Sequence, residues 1–123
     1  MTSNAGWREG PVSIGTDLAE DVALARAVAA AASAVPGVSS VGGAPATYGA
    51  NETVRGVAID RRGAAPVVAL SFAAEYDAGA DFRELAGRVR RAALRAARMA
   101  GATVSRVDIT VHDVIVPGET ESS

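Results

Sequence analysis

Cysteine and lysine are absent from this 123-residue chain, and aromatic residues make up only 4% of it. Without cysteine there are no disulfides, no thiolate metal ligands and no cysteine nucleophile, and a reducing compartment is the simplest setting. Without lysine there is no phosphate loop of the type G-x-x-x-x-G-K-[ST], although glycines occur at 42, 43 and 49. These absences exclude several classes of enzyme and nucleotide-binding protein.

Long apolar runs are missing too. The longest one, 27–38, is about a dozen residues and mostly alanine, whereas a membrane-spanning helix needs roughly 20. The first ten residues contain Trp7, Arg8 and Glu9 and lead into no apolar core, so they do not resemble a signal peptide. We therefore expect a cytoplasmic protein without a membrane span of its own.

The charge balance is slightly acidic. All 12 basic residues are arginine, and 14 acidic residues bring the net charge to -2. Because a protein that binds nucleic acid is commonly basic, this balance argues against a nucleic-acid partner for the molecule as a whole. Any basic surface must be local.

The remaining composition indicates one small domain. Its 49% of hydrophobic residues suffices for a single core. That core must consist of Val, Leu, Ile and many Ala, so we expect thin helices packed closely on a sheet. Residues 1–10 are predicted to be a flexible N-terminal tail, 11–116 the domain, and 117–123 a flexible acidic C-terminal tail.

Hydrophobic periodicity predicts an α+β fold with two layers. The predicted order is β-α-β-β(-β)-α-β, with two helices packed on one mostly antiparallel sheet. The first strand is predicted at 12–14, and the first helix is predicted to begin at a cap formed by Thr16 or Asp17 and to end at Pro36. The predicted buried face of this helix comprises Leu18, Val22, Ala25, Ala29, Ala32 and Val35.

Weaker strand signals follow the first helix at 38–41 and 46–48. A bend is expected between them at Gly42 and Gly43, and the strand pairing within 38–50 stays open. Two longer apolar runs, 54–60 and 67–76, are predicted to form a hairpin.

The second helix is predicted to begin at Asp81, whose carboxylate caps free amides, with Glu84 completing a capping box. The final strand is predicted from the alternation of Val107, Ile109 and Val111 with polar residues. The predicted apolar face of the helix comprises Phe82, Leu85, Val89, Ala93, Ala96 and Ala100.

His112 is the only histidine, and it lies on the polar side of the last strand near Asp108 and Asp113. A general base oriented by a carboxylate is one interpretation, and an exposed strand residue is the other. No motif places a serine or threonine nucleophile beside it, and metal sites need several ligands. We therefore predict no catalytic residue, no metal site and no cofactor.

Four arginines at helical spacing form the one surface feature that points to a partner. Arg88, Arg91, Arg95 and Arg98 gather on the side of the second helix opposite its apolar face. A solvated outer face, an acidic protein partner or self-association, and nucleic acid are the three interpretations. Because no aromatic residues alternate with these arginines, nucleic acid is the weakest of them.

Four short sequence motifs occur in an order that resembles a known family. They are Ala34–Gly43 (AVPGVSSVGG), Val54–Val57 (VRGV), Ala74–Tyr76 (AEY) and Val107–Val114 (VDITVHDV). Over roughly 11–116 the chain resembles the alkaline shock protein family, the envelope stress response proteins of Gram-positive bacteria. It departs from that family at Asp77, where glycine is common, and in lacking lysine; its alanine-rich composition indicates a high-GC actinobacterial genome.

The resemblance implies a non-enzymatic cytoplasmic protein that acts in envelope stress. Such a protein would form homo-oligomers and be held at the membrane by a membrane-anchored protein of the same family. No binding residue of the family is carried over to this chain. The alternative is a regulatory module of βαβ type that binds a small ligand.

Overall fold

The computed structural model describes residues 5–63, 65–76 and 81–116, with side chains from residue 18 onward. Within these ranges the chain forms two helices and six strands. The helices are α1 (Ala5–Ser33) and α2 (Phe82–Met99). The strands are β1 (Val38–Val41), β2 (Ala46–Tyr48), β3 (Thr53–Arg55), β4 (Val57–Asp60), β5 (Val67–Glu75) and β6 (Arg106–Ile115).

Strand β5 is the centre of the main sheet. Along one side it pairs antiparallel with β4, from Val57 opposite Leu70 to Asp60 opposite Val67, and further on with β1. Along the other side it pairs with β6, which is parallel to it because α2 makes the crossover between them. The predicted α+β fold, with helices packed on a mostly antiparallel sheet, is confirmed.

A small hairpin interrupts the edge formed by β1 and β4. Among the described residues, strands β2 and β3 pair only with each other, and they are inserted between the end of β1 and the start of β4. At the base of this hairpin, Ser71 accepts a hydrogen bond from Gly42 N–H (3.1 Å) and donates its own N–H to Gly56 O (2.8 Å). The two strand ends therefore meet at one residue of β5.

Helix α1 begins earlier than the sequence predicts. Residues 12–14, predicted as a strand, lie within α1, and so do the predicted caps Thr16 and Asp17. These predictions were wrong: an isolated segment of three residues has no ladder partner, whereas extending an existing helix adds a hydrogen bond per residue. Residues 5–10 of the predicted tail are also helical; 1–4 and the tail at 117–123 lie outside the described residues.

The core lies between the helix layer and one face of the sheet. Every second residue of β5 faces the helices, and Phe72 is the largest side chain that is completely buried. Alanine contributes as predicted, because Ala25 and Ala32 of α1 and Ala93 of α2 have no exposed surface. Small side chains at these points let the helix backbones approach the sheet closely.

The predicted faces of the helices are confirmed in part, because half of the predicted residues on each helix are buried. On α2 the buried residues are Leu85, Val89, Ala93 and Ala97, whereas Ala100, predicted as buried, is exposed at the C-cap. On α1 Leu18 is 44% exposed, although it was predicted to be on the buried face. The chain turns at Ala100, and Leu18 lines an open groove between α1 and the β2–β3 hairpin.

Candidate partner-binding surface

Helix α2 holds its arginines in a fixed orientation. Its first turn is anchored by Asp81, whose Oδ1 accepts hydrogen bonds from Arg83 N–H (3.0 Å) and Glu84 N–H (3.2 Å). Its rotation about its own axis is fixed by the buried side chains, of which Val89 is completely covered. The predicted N-cap is confirmed, and the polar side of the helix must face solvent.

The structure places all four predicted arginines together on that outer side. Arg88, Arg91, Arg95 and Arg98 are exposed, and none of them forms an ion pair with an acidic residue in the described parts of the chain. We call these four residues the Arg face. Because they lie on a helix of 18 residues packed against the core, their positive charges form a preorganised patch.

Two further arginines of α2 lie outside the Arg face. Arg90 lies on the flank above β6, where its Nε donates to the backbone oxygen of Val107 (3.2 Å). Arg83 is seven residues earlier and therefore on the same flank. Neither residue was predicted as part of a surface, although their spacing of two helical turns was a usable signal.

His112 lies at an irregularity of β6. Phe72 pairs with Val111 and Ala73 pairs with Asp113, so His112 is an extra residue in a bulge. Its ring lies over Gly43, where an added Cβ would be 3.1 Å from His112 Cδ2. Among the described residues no group of three His, Asp or Glu side chains is suited to hold a metal ion.

A row of alternating charges crosses the sheet face opposite the helices. Asp60 is paired with Arg62 (Oδ2 to Nη2, 2.7 Å), and Arg106 is paired with Asp108 (Nε to Oδ1, 2.9 Å). Hydrogen bonding from the Arg62 guanidinium lowers the pKa of Asp60 to about 2, with contributions from the Arg62 backbone N–H and the charge of Arg106. These pairs are largely exposed, so their contribution to folding stability is small.

Asp60 gives a pH prediction with a defined sign. Its carboxylate is ionised in the folded protein down to a pKa of about 2, whereas in the unfolded chain it takes up a proton near pH 3.9. Stabilisation by this pair is therefore complete above about pH 5 and is lost as the pH falls from about 4 to 2. The unfolding free energies of wild type and Asp60→Asn, compared by chemical denaturation, should converge over that interval. A difference that changes between pH 5 and pH 8 would contradict the assignment.

Ion pairs also fasten α1 to distant loops. Arg26 pairs with Glu52 beside the β2–β3 hairpin, and Asp21 pairs with Arg61 after β4 (Oδ1 to Nε, 2.6 Å). Neither pair was predictable from the sequence, because the partners are 26 and 40 residues apart and no periodic pattern connects them.

Two open grooves flank α1. One has a volume of about 380 Å³ and lies against the turn after α2, lined by Glu20, Leu24 and Arg61 among others. The other has a volume of about 350 Å³ and lies between α1 and the hairpin, lined by Leu18, Val22 and Ala50 among others. Both are within the size range of small-molecule sites, at its lower end.

The fold and this surface define a two-layer α+β domain with a basic helix on its outside. No family model, no curated protein and no solved structure matches the chain. Neither helix, over the residues that the structure describes, is long and apolar enough to cross a membrane.

Proposed function

We propose that the protein is a non-enzymatic scaffold of the envelope stress response, similar in role to the alkaline shock proteins that its sequence motifs resemble. It acts in the cytoplasm, associates with itself, and is held at the membrane by a membrane-anchored protein of the same family. The observation that carries this proposal is the Arg face: four exposed guanidinium groups without an ion-pair partner among the described residues.

The charge of α2 supports an acidic protein partner. The helix carries six arginines and one glutamate, and like charges this close repel one another. An acidic surface on the partner offsets that repulsion, and guanidinium groups bind carboxylates through two parallel hydrogen bonds. Interfaces of this kind use charge mainly for specificity and rapid association.

Membrane binding tests the proposal. We expect the purified protein to sediment with membranes isolated from stressed cells of the source organism. Membranes treated with protease on their cytoplasmic side should no longer bind it, because the partner is a protein. A protein that is strictly monomeric in light scattering and captures no envelope protein would contradict the proposal. Equal binding to protein-free anionic vesicles would show that the Arg face binds lipid and not a protein partner.

The groove beside the hairpin favours a second candidate function, a regulatory module that binds a small ligand. Its lining combines apolar side chains with the charged pair Arg26 and Glu52 at the edge, which is a typical composition for a metabolite site. A metabolite from a panel that raises the melting temperature would support this function. The gain should disappear in Ala50→Trp, whose indole fills the groove.

A further inference from the structure

The outer edge of β6 is the second surface that lacks a partner in the described structure. β6 pairs with β5 along one side, and no described strand pairs with its other side. Ser71 of β5 directs its N–H and C=O to Gly56 and Gly42 on the other side of that strand, so Val68 and Leu70 direct theirs to β6. With Val68 opposite Val107 and Leu70 opposite Ile109, they bond to Arg106, Asp108 and Thr110. The N–H and C=O groups of Val107, Ile109 and Val111 therefore point to the free edge. Unpaired edges of this kind are templates for an added strand.

The bulge at His112 sets the length of this edge. A bulge bends the strand and interrupts regular pairing. The regular part of the free edge therefore runs from Arg106 to Val111. It contains no proline, and its side chains on the sheet face opposite the helices, those of Arg106, Asp108 and Thr110, are exposed. Its length suits a short extended segment.

Positive charge lies directly above this edge. Arg90, held by its hydrogen bond to Val107 O, and Arg83, two turns earlier on the same flank of α2, are both exposed. Neither forms an ion pair within the described part of the chain. An added strand would therefore present every second side chain to two arginines.

The positive charge of Arg83 and Arg90 determines which kind of segment can bind the free edge of β6. If β6 of a second copy paired with β6, Arg83 and Arg90 of both copies would come together above the joined sheet and repel one another. An extended segment with carboxylates at alternate positions would instead pair its backbone with β6 and its acids with the arginines. Charge thus favours an acidic segment.

We propose that the free edge of β6 binds the acidic segment 117–123 of a second copy of this chain as an added strand. Glu119 and Glu121 are two residues apart, so in an extended segment both side chains fall on one side, about 7 Å from each other. On that side they face Arg83 and Arg90, whose long side chains span the remaining distance along α2. The proposal specifies the self-association in the proposed function and rests on it.

The segment of the same copy cannot occupy this position. Val107 lies near the start of β6 and Val116 directly follows its end, nine residues later and about 30 Å away in extended chain. Glu121 follows Val116 by five residues and reaches at most about 18 Å. The contact is therefore made between copies. The segment of one copy and the β6 edge of the next are two different surfaces. Repeated contacts of this kind join copies into open chains, and a reciprocal exchange of segments joins two copies into a dimer.

A charge exchange tests the proposal on the full-length protein. Self-association is measured by sedimentation equilibrium at low salt over a range of concentrations. The double variant Glu119→Gln/Glu121→Gln should weaken the association constant about tenfold, equivalent to about 1.4 kcal/mol. Arg83→Glu/Arg90→Glu should abolish association, and combining it with Glu119→Arg/Glu121→Arg should restore it. Arg55→Glu/Arg62→Glu, with the same change in charge away from both α2 and β6, should leave it in place.

A backbone variant tests the strand pairing independently of charge. Ile109→Pro removes an N–H that points to the free edge and takes no part in pairing with β5. It should reduce association at least as much as the glutamine variant, while the melting temperature shows that the domain is folded.

Three outcomes separate this proposal from the proposed function. If the wild type associates and neither the double glutamine variant nor Ile109→Pro weakens it, copies meet through another surface and the edge proposal is wrong. If the charge exchange fails to restore association, the pairing of Glu119 and Glu121 with Arg83 and Arg90 is wrong. A wild type that is monomeric at every concentration contradicts self-association altogether, while membrane capture through the Arg face is measured separately.

Discussion

Replacing Phe72 with alanine should lower the free energy of unfolding by about 3–5 kcal/mol. Phe72 has no exposed surface and lies in the middle of β5, the strand that joins both sides of the sheet. Only five aromatic residues occur in the chain, so the core is otherwise filled by small aliphatic side chains. These cannot collapse far into the cavity that the lost ring leaves. A loss of this size is a large share of the roughly 5–15 kcal/mol that holds a small domain folded.

Urea denaturation followed by circular dichroism measures this loss. The matched control is Phe82→Ala, because Phe82 is only partly buried in the first turn of α2 and contacts the edge of the core. Its substitution should cost less than half as much. If Phe72→Ala cost below about 1 kcal/mol, β5 would not be the centre of the core.

Replacing Gly56 with alanine should cost about 3 kcal/mol, from backbone strain and a steric clash together. Gly56 has φ of +89°, and a Cβ there would lie 2.6 Å from both Gly42 N and Val41 Cγ1. Its N–H also donates to Pro45 O (2.6 Å) and its carbonyl accepts from Ser71. The substitution therefore forces apart the base of the β2–β3 hairpin and the pairing of β1 and β4 with β5.

Substitutions at two other glycines distinguish the cost of backbone strain from the cost of a steric clash. Gly101 has φ of +87° but has no atom within 4 Å of an added Cβ, so Gly101→Ala should cost about 1–2 kcal/mol from backbone strain alone. Gly42 has neither a positive φ nor a close neighbour for a Cβ, and Gly42→Ala should change stability by less than about 1 kcal/mol. Denaturant midpoints should rank the three variants in this order. Equal losses for Gly56 and Gly101 would show that the close approach at the hairpin base is absent.

The second half of the fold was predictable because its local signals agree with its tertiary contacts. Asp81 caps α2 and Val89 lies on its buried face, as capping and periodicity predict. The alternation around Val107 correctly identifies β6, and a helical crossover between β5 and β6 is the connection that parallel strands require.

The first half was harder because local signals there compete with tertiary structure. Gly10, Pro11 and Gly15 interrupt a helical pattern, so 12–14 resembled a short strand, but these residues continue α1. The run 54–60 was predicted as one strand, whereas Gly56 divides it into β3 and β4. A glycine inside a strand pattern is a known signal of a bend, and it could have located the inserted hairpin.

The Arg face was predictable for the same reason as α2, because helical spacing alone gathers its four residues. The free edge of β6 and its neighbour Arg90 were not predictable in this way. They depend on which strand lies at the border of the sheet and on which flank of α2 lies above it. Sequence periodicity carries neither fact, since both are set by strand order.

The comparison of two variants with equal net charge tests the central claim, that the Arg face binds a partner, most directly. In one variant Arg88, Arg91, Arg95 and Arg98 are replaced by glutamine. In the other, four arginines elsewhere are replaced in the same way, namely Arg26, Arg55, Arg61 and Arg62. Cosedimentation with membranes from stressed cells should fall about tenfold or more for the first variant and stay near wild type for the second. Equal losses in both variants would show that net charge, and not this face of α2, determines binding, and would contradict the account.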